Sequence, residues 1–243
     1  MKFICFPYAG GKAADYHPFS DCLATIDVIA VELAGHGERF AEPAHAAMDP
    51  LIAHLQAELA PQLDTPFALF GHSMGAAIAY EFACRLPPLA RTHLCHLFVS
   101  AFHSPAFLRH QPARAAVHPL TDERLIAILA QLGGSPRAVL TNSTLMQLFL
   151  PMLRADFSVI DRYRPQPYDP LTCPITAFAG DQDASVDPAT MACWRRCTQA
   201  DFVLHVFAGD HFFIRHNVAK MADVIARRLC LQPSSHHRQG CAP

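Results

Sequence analysis

With 243 residues, 51% of them hydrophobic, the chain has enough apolar surface to bury a full core and to form one domain carrying an insertion. A formal net charge of −2 removes electrostatic support for a general nucleic-acid-binding role. The opening Met1–Pro7 run lacks the longer apolar core and cleavage site of a signal peptide, and no stretch is long enough to span a bilayer. A cytoplasmic protein without membrane attachment is therefore expected.

In chain order, short apolar runs alternate with amphipathic helical patterns. A strand is predicted over Lys2–Phe6, a helix over Asp15–Ala24, a strand over Val28–Val31 and a helix over Pro50–Leu59. Strand Phe67–Phe70, helix Ala76–Leu86 and strand Leu94–Ser100 follow. Strand Ile175–Ala179, helix Pro188–Cys197, strand Phe202–Phe207 and helix Val218–Leu229 complete the pattern. This alternation predicts an α/β fold, a mostly parallel sheet with helices on both faces. Between Ser100 and Cys173 the alternation stops. Two helical patterns stand there, Asp122–Leu132 and Leu145–Ile160, separated by Gly133-Gly134-Ser135-Pro136. They read as a helical lid insertion above the strand ends, where such sheets keep their binding sites. The expected division is a core of residues 1–101 and 166–231, a lid of residues 102–165 and a disordered tail of residues 232–243.

The cysteines, at positions 5, 22, 84, 95, 173, 193, 197, 230 and 241, form no C-x-x-C pair, so neither a disulfide framework nor a metal site is expected. They read as reduced, mostly buried small hydrophobes.

The motif with the most chemistry in it is Gly71-His72-Ser73-Met74-Gly75, set between the apolar run Phe67–Phe70 and the helical pattern from Ala76. In a strand, tight turn and helix, G-x-S-x-G is a nucleophile elbow. The glycines leave room for strand and helix to pass closely while Ser73 takes a strained backbone. A serine hydroxyl needs a base, usually a histidine oriented by a carboxylate, and on this fold the chain order is Ser, then Asp or Glu, then His. His211 follows the last strand in Gly209-Asp210-His211-Phe212-Phe213 and is the predicted base; His205 falls inside the strand pattern and His216 beyond the loop. Asp183, in the loop after Ile175–Ala179, is the predicted carboxylate, with Asp181 as runner-up and Asp187 slightly later. An oxyanion needs two N–H donors: Met74, after the nucleophile, and Ala9 in the Tyr8-Ala9-Gly10-Gly11 loop, with Tyr8 as second choice there.

Taken together, Phe6-Pro7-Tyr8-Ala9-Gly10-Gly11, Gly71–Ala76, Leu132–Pro136, Leu150–Phe157, Tyr163, Trp194 and Gly209–Phe213 resemble the type II thioesterases of polyketide and non-ribosomal peptide synthesis, an α/β-hydrolase family. The resemblance spans nearly the whole chain. The elbow is shared with many hydrolases; the Leu-Arg-Ala-Asp-Phe stretch and the Gly-Gly-Ser-Pro turn are the more specific parts. It implies hydrolysis of acyl thioesters from the phosphopantetheine arm of carrier proteins, with Ser73, Asp183 and His211 as triad and no cofactor. Two departures stand out. The family usually has glycine at the position of Asp210, which could alter the pKa of His211, and glutamate at that of Asp161. A small-ester or lipid hydrolase, or a non-catalytic carrier-binding subunit, would share the fold.

Residues 102–165 hold seven arginines against four carboxylates, a balance of +3 where the rest of the chain is −5. Carrier proteins are commonly acidic, so Arg109, Arg114 and Arg124 are candidate docking residues. The alternative use is structural, with Arg154 pairing with Asp156 or another structural acid. Tyr8, Met146, Phe149, Met152 and Phe212 are candidate substrate contacts. The apolar insertion residues, Leu145, Leu148 and Leu153 among them, are expected to serve an acyl channel on one face and core on another. A monomer is the simpler expectation.

Overall fold

The computed structural model describes residues 1–112 and 115–230; the expected disordered tail lies outside them. Strands β1 (Lys2–Phe6), β2 (Asp27–Ala30), β3 (Phe67–His72), β4 (Leu94–Ser100), β5 (Ile175–Gly180) and β6 (Phe202–Phe207) form one parallel sheet in the order β2-β1-β3-β4-β5-β6. The chain leaves β1 for β2, then returns past β1 to β3. The direction of winding therefore reverses between β1 and β3, and a crevice opens at their carboxyl ends. Register sets Phe6 beside Gly71 and His72 beside Ser100 along that edge.

Alternation along the strands divides the core in two. Phe3, Cys5, Ala68, Phe70, Phe98 and Phe178 pack toward α1 (His17–Cys22) and α10 (Ile214–Cys230), meeting Phe19, Met221 and Ile225. Ile4, Phe6, Leu69, Leu97, Val99 and Ala177 face α2 (Met48–Leu59) and α3 (Met74–Cys84), meeting Leu51, Leu55, Ile78 and Phe82. Strand β3 is buried on both faces, which is why its sequence is a continuous apolar run. The short α4 (Pro88–Arg91) leads into β4, and α9 (Pro188–Met191) follows β5.

Between β4 and β5 stand α5 (Pro105–Leu108), α6 (Asp122–Leu132), α7 (Arg137–Leu140) and α8 (Ser143–Asp161). Leu125, Leu129, Met146, Leu150, Leu153 and Phe157 give this segment a small core of its own. Asn142 caps α8 by accepting the Leu145 N–H at 3.1 Å. Pro151 lies inside that helix and cannot donate to the carbonyl of Gln147. Gln147 is exposed, so water can serve the freed oxygen.

Several boundaries differ from the sequence reading. The predicted helix Asp15–Ala24 is a 3₁₀ turn, Ala13–Tyr16, followed by α1, because Pro18 has no N–H to continue the first turn and suits the start of a second. The predicted helix Pro188–Cys197 is likewise α9 and then a 3₁₀ segment. Helices α4, α5 and α7 have four residues each, too short to show a hydrophobic period. No described helix is long and apolar enough to cross a membrane.

The chain leaving α8 is tied to the sheet through one buried carboxylate. Glu81, fully buried on α3, accepts hydrogen bonds from Tyr163 Oη at 2.8 Å and Tyr168 Oη at 3.1 Å, and Arg85 donates to it at 2.7 Å. Tyr163→Phe leaves one oxygen of Glu81 short of a donor. The expected cost is about 2 kcal/mol, read as a fall of about 4–8 °C in Tm by calorimetry; an unchanged Tm would show that the bond is dispensable.

Candidate active site

Ser73 follows β3 directly and begins α3 with φ 53° and ψ −120°, a region that a residue bearing a side chain rarely enters. The surroundings impose it. A β-carbon at Gly71 would lie 2.0 Å from the Gly75 carbonyl oxygen, and one at Gly75 would lie 2.1 Å from that of Phe6. Only glycine lets β3, α3 and the end of β1 converge so tightly. The Ser73 N–H donates to the Ser100 carbonyl at 2.8 Å, pinning the turn to β4.

His211, in the loop after β6, places Nε2 3.0 Å from Ser73 Oγ and Nδ1 2.8 Å from Asp183 Oδ2. The Asp183 side chain is fully buried, and its Oδ1 accepts the N–H groups of Ser185 and Val186 at 2.8 and 3.1 Å. Its direction is thus set by its own loop. Asp181, the alternative, instead accepts the Gly209 N–H at 2.9 Å and joins the β5 and β6 loops, while Asp187 caps α9. Asp210 closes a turn by accepting the Phe212 N–H at 2.8 Å.

His72 lies fully buried beneath the pair, with Nδ1 2.9 Å from Ser100 Oγ and its ring centroid 5.5 Å from that of His211. Burial, then the neighbouring His211, hold its pKa well below the usual 6.5, so it adds no positive charge below the base. Among the described residues its Nε2 is a buried polar atom without a hydrogen-bond partner.

The loop after β1 lies across the same crevice. Its Gly11 N–H is taken by the Tyr8 carbonyl at 2.8 Å and its Gly10 N–H by Asp156 Oδ2 at 2.7 Å. Neither N–H is free to meet a bound carbonyl, which leaves Ala9 and Tyr8, both bordering the crevice, as the candidate donors of this loop. Met74, first in α3, has an N–H that its own helix cannot satisfy. Tyr8 itself is clamped: its hydroxyl donates to Asp15 at 2.9 Å, and its ring meets Phe212 edge-on at 4.9 Å. Burial, reinforced by Asp15, pushes the phenol up to about 12.

A cavity of about 830 Å³ opens above Ser73 and His211, roofed by α6 and α8. All five predicted contacts, Tyr8, Met146, Phe149, Met152 and Phe212, line it. Leu132, from the Leu132–Pro136 stretch, lines it as well; Leu129, Phe40 and the Gly35–Gly37 turn also line it and were missed, since nothing in their local sequence marks them. The expected split between channel and core faces is not what forms: Met146 and Leu153 do both at once, and Leu145 does not line the cavity. The Gly-Gly-Ser-Pro turn sits directly on the site, because a β-carbon at Gly134 would strike the Phe212 ring at 2.4 Å. Arg215 donates to the carbonyls of Gly133 and Gly134 and stacks 4.7 Å over that ring.

The arginines separate by use. Arg154 donates to the carbonyls of His118 and Leu120 at 2.6 Å each and pairs with Asp122 rather than Asp156. Arg109 donates to Gln166 and is exposed, as is Arg124; Arg114 lies outside the described residues. Asp161 accepts the Val117 and His118 N–H groups at 2.7 and 2.8 Å, a structural use. No group of three or more His, Cys, Asp or Glu among the described residues is placed to hold a metal ion.

Behind the loop, Asp156 also meets His36 Nε2 at 2.9 Å, and His36 Nδ1 lies 3.1 Å from the Ala34 carbonyl. Burial alone would lower the His36 pKa, but Asp156, the Ala34 carbonyl and the charge of Glu32 outweigh it and hold it above 6.5. Below the unfolded-state value both states carry the proton and the stabilisation is fully present. It is lost as pH rises through the higher folded-state value. Urea midpoints taken from about pH 6 to about pH 9 should show wild type losing stability relative to His36→Gln. The subtraction cancels other histidines, such as His72 and His96, whose lowered values act in the opposite sense. A flat difference curve would contradict the protonated pair.

The thioesterase-domain family model matches residues 1–229. The chain is 35% identical over 232 residues to the gramicidin S biosynthesis protein GrsT of Aneurinibacillus migulanus, covering 95% of this chain and 90% of the relative. It is 32% identical to the thioesterase PikA5 of Streptomyces venezuelae, covering 94% and 81% of the two chains. Among solved structures, the type II thioesterase BorB from the borrelidin biosynthetic cluster superposes with a TM-score of 0.83 at 37% identity, covering 94% of this chain and 92% of that one. With this match across the whole described sheet and both flanking layers, the chain belongs to the thioesterase-domain family and has its α/β-hydrolase fold.

Proposed function

We propose that the protein is a type II thioesterase that hydrolyses acyl thioesters from the phosphopantetheine arms of carrier proteins in polyketide or non-ribosomal peptide synthesis. The observation that carries the reading is the Ser73–His211–Asp183 relay opening beneath a chamber with a mainly apolar lining. The relay supplies a nucleophile, and the chamber accepts an acyl chain while the arm reaches in from the surface. The relatives named above, from gramicidin S and borrelidin biosynthesis, support the pathway class.

In this reading His211 Nε2 takes the Ser73 proton as Oγ bonds to the thioester carbon. The oxyanion is held by the Met74 and Ala9 N–H groups, and Asp183 steadies the imidazolium. The C–S bond then breaks and His211 returns the proton to the departing thiolate, a leaving group that needs little acid assistance. A water, deprotonated by His211, attacks the acyl carbon; the bond from that carbon to Ser73 Oγ breaks, His211 returns the proton to Oγ, and the free acid leaves. Water is the sole co-reactant, so no cofactor is called for. The segment of residues 102–165 acts as a lid over the acyl chain, and a monomeric, cytoplasmic enzyme suits work on soluble carriers.

Mass spectrometry of a panel of acyl-loaded carrier proteins tests the assignment. Wild type should release the acyl group, and Ser73→Ala should lose at least about 10³-fold in rate. Faster turnover of matching oxygen esters than of carrier thioesters would instead indicate a small-ester hydrolase.

Exposed Arg109 and Arg124 supply positive charge on this segment, which supports docking of an acidic carrier. Arg109→Glu with Arg124→Glu should slow association about tenfold at low ionic strength and little at about 0.5 M salt. Stopped-flow association rates that do not respond to the reversal would remove the docking role.

A further inference from the structure

The loop proposed to hold the oxyanion rests on α8, an element of the inserted segment, as well as on the sheet. Leu153 and Asp156, one turn apart on α8, both meet Gly10. A β-carbon at Gly10 would lie 2.7 Å from Leu153 Cδ2, and the Gly10 N–H donates to Asp156 Oδ2 at 2.7 Å. Asp156 is only 3% exposed, so that bond is made out of competition with water. Gly10 adopts φ +75°; glycine enters this region as readily as others, so contacts such as this hydrogen bond select among the shapes open to the loop.

The carboxylate is itself held. His36 Nδ1 faces only a carbonyl, that of Ala34, and must carry hydrogen there. His36 Nε2 faces the same Asp156 oxygen that accepts from Gly10, so a proton lies between the ring and the carboxylate. Ser158, two residues further along α8, donates to the Ala46 carbonyl at 2.9 Å and fixes the helix against the segment leading into α2.

The Gly11 N–H holds the carbonyl of the Tyr8–Ala9 peptide, the unit that carries the Ala9 N–H, and the hydrogen bond from the Gly10 N–H to Asp156 orients the next planar peptide, Ala9–Gly10, so Ala9 is fixed only when both are held. We infer that Asp156, steadied by His36, is a positioning residue that aims the Ala9 N–H at the carbonyl attacked by Ser73, so that the oxyanion site is complete only while α8 is seated. The inserted segment is then part of the catalytic geometry as well as a cover. This rests on the assignment of Ala9 as an oxyanion donor in the proposed function.

A residue that only supports folding would lower Tm and the active fraction together and leave the turnover of folded molecules alone. A residue that aims a transition-state donor lowers kcat and leaves KM nearly unmoved. Asp156→Asn keeps an acceptor for Gly10 but loses the shared proton, and Asp156→Ala loses both. The expected falls in kcat are about tenfold for Asn and about 10²-fold for Ala, with KM within about twofold.

Two readouts should be taken on the full chain, with Tm recorded alongside. One is turnover of an acyl carrier thioester. The other is the rate at which Ser73 displaces fluoride from an alkyl fluorophosphonate, followed by intact mass; that reaction passes through five-coordinate phosphorus, builds negative charge on a phosphoryl oxygen that the oxyanion donors would hold, and needs no carrier. The inference expects both rates to fall in the order wild type, Asn, Ala. If Ala does not fold, the isosteric Asn variant decides. A folded Asp156→Asn that labels and turns over at the wild-type rate overturns the inference, as does a loss confined to KM. If wild type is labelled but releases nothing from carriers, the substrate reading falls, and the labelling series still scores the positioning role.

Discussion

Where β3 ends, three stretches of backbone occupy space that permits no side chain. Gly71 abuts the first turn of α3, and Gly75 abuts the last residue of β1. This contact holds Ser73 at positive φ, between the end of β3 and the first residue of α3. The rest of the site is arranged around that turn. The β1 loop borders it because β1 is its neighbour in the sheet, and His211 reaches it from the far end, two strands beyond β4. Strain of this kind persists only where its surroundings over-determine it. Strand β3, buried on both faces, and the bond from the Ser73 N–H to Ser100 provide that surrounding.

Charge inside the core is handled by three separate arrangements. Glu81 is paired with Arg85 and supplied with two phenol donors, which anchors the chain leaving the insertion. His72 is kept neutral by burial directly beneath the base. His36 and Asp156 share a proton on the far side of the β1 loop. In each case a polar group taken from water is matched by a partner or stays uncharged, as a low-dielectric interior requires. The exception is His72 Nε2, a buried side-chain nitrogen of the site that has no hydrogen-bond partner among the described residues.

The inserted segment meets the catalytic loops at two points. At one, Gly134 lies on Phe212 and Arg215 gathers the carbonyls of the Gly-Gly turn. At the other, Leu153 and Asp156 close on Gly10. These two contacts come from the stretches that distinguish this chain's sequence from a general hydrolase. Their specificity thus has a physical reading: both stretches touch the loops that carry the chemistry.

How much could be read without coordinates depended on the range of the interaction. The strand pattern, the elbow and the order Ser73, Asp183, His211 were legible, because short continuous apolar runs and tight-turn glycines are local and chain order is a topological rule. Boundaries failed where a local rule was overlooked, as at Pro18, and short helices such as α7 were missed for want of a period. The choice of Asp183 over Asp181 was less secure, since both sit in one loop and only the path of the β6 loop decides which meets His211. Nothing near His36, Phe40 or Leu129 in sequence announces the site, and their partners lie far away along the chain. By itself the sequence determined the fold class and the tight turn that carries Ser73, because these rest on short-range backbone constraints. Tertiary structure alone decided which groups wall the chamber and what holds the β1 loop, because hydrogen bonds and packing across more than a hundred residues are set only when the chain closes on itself.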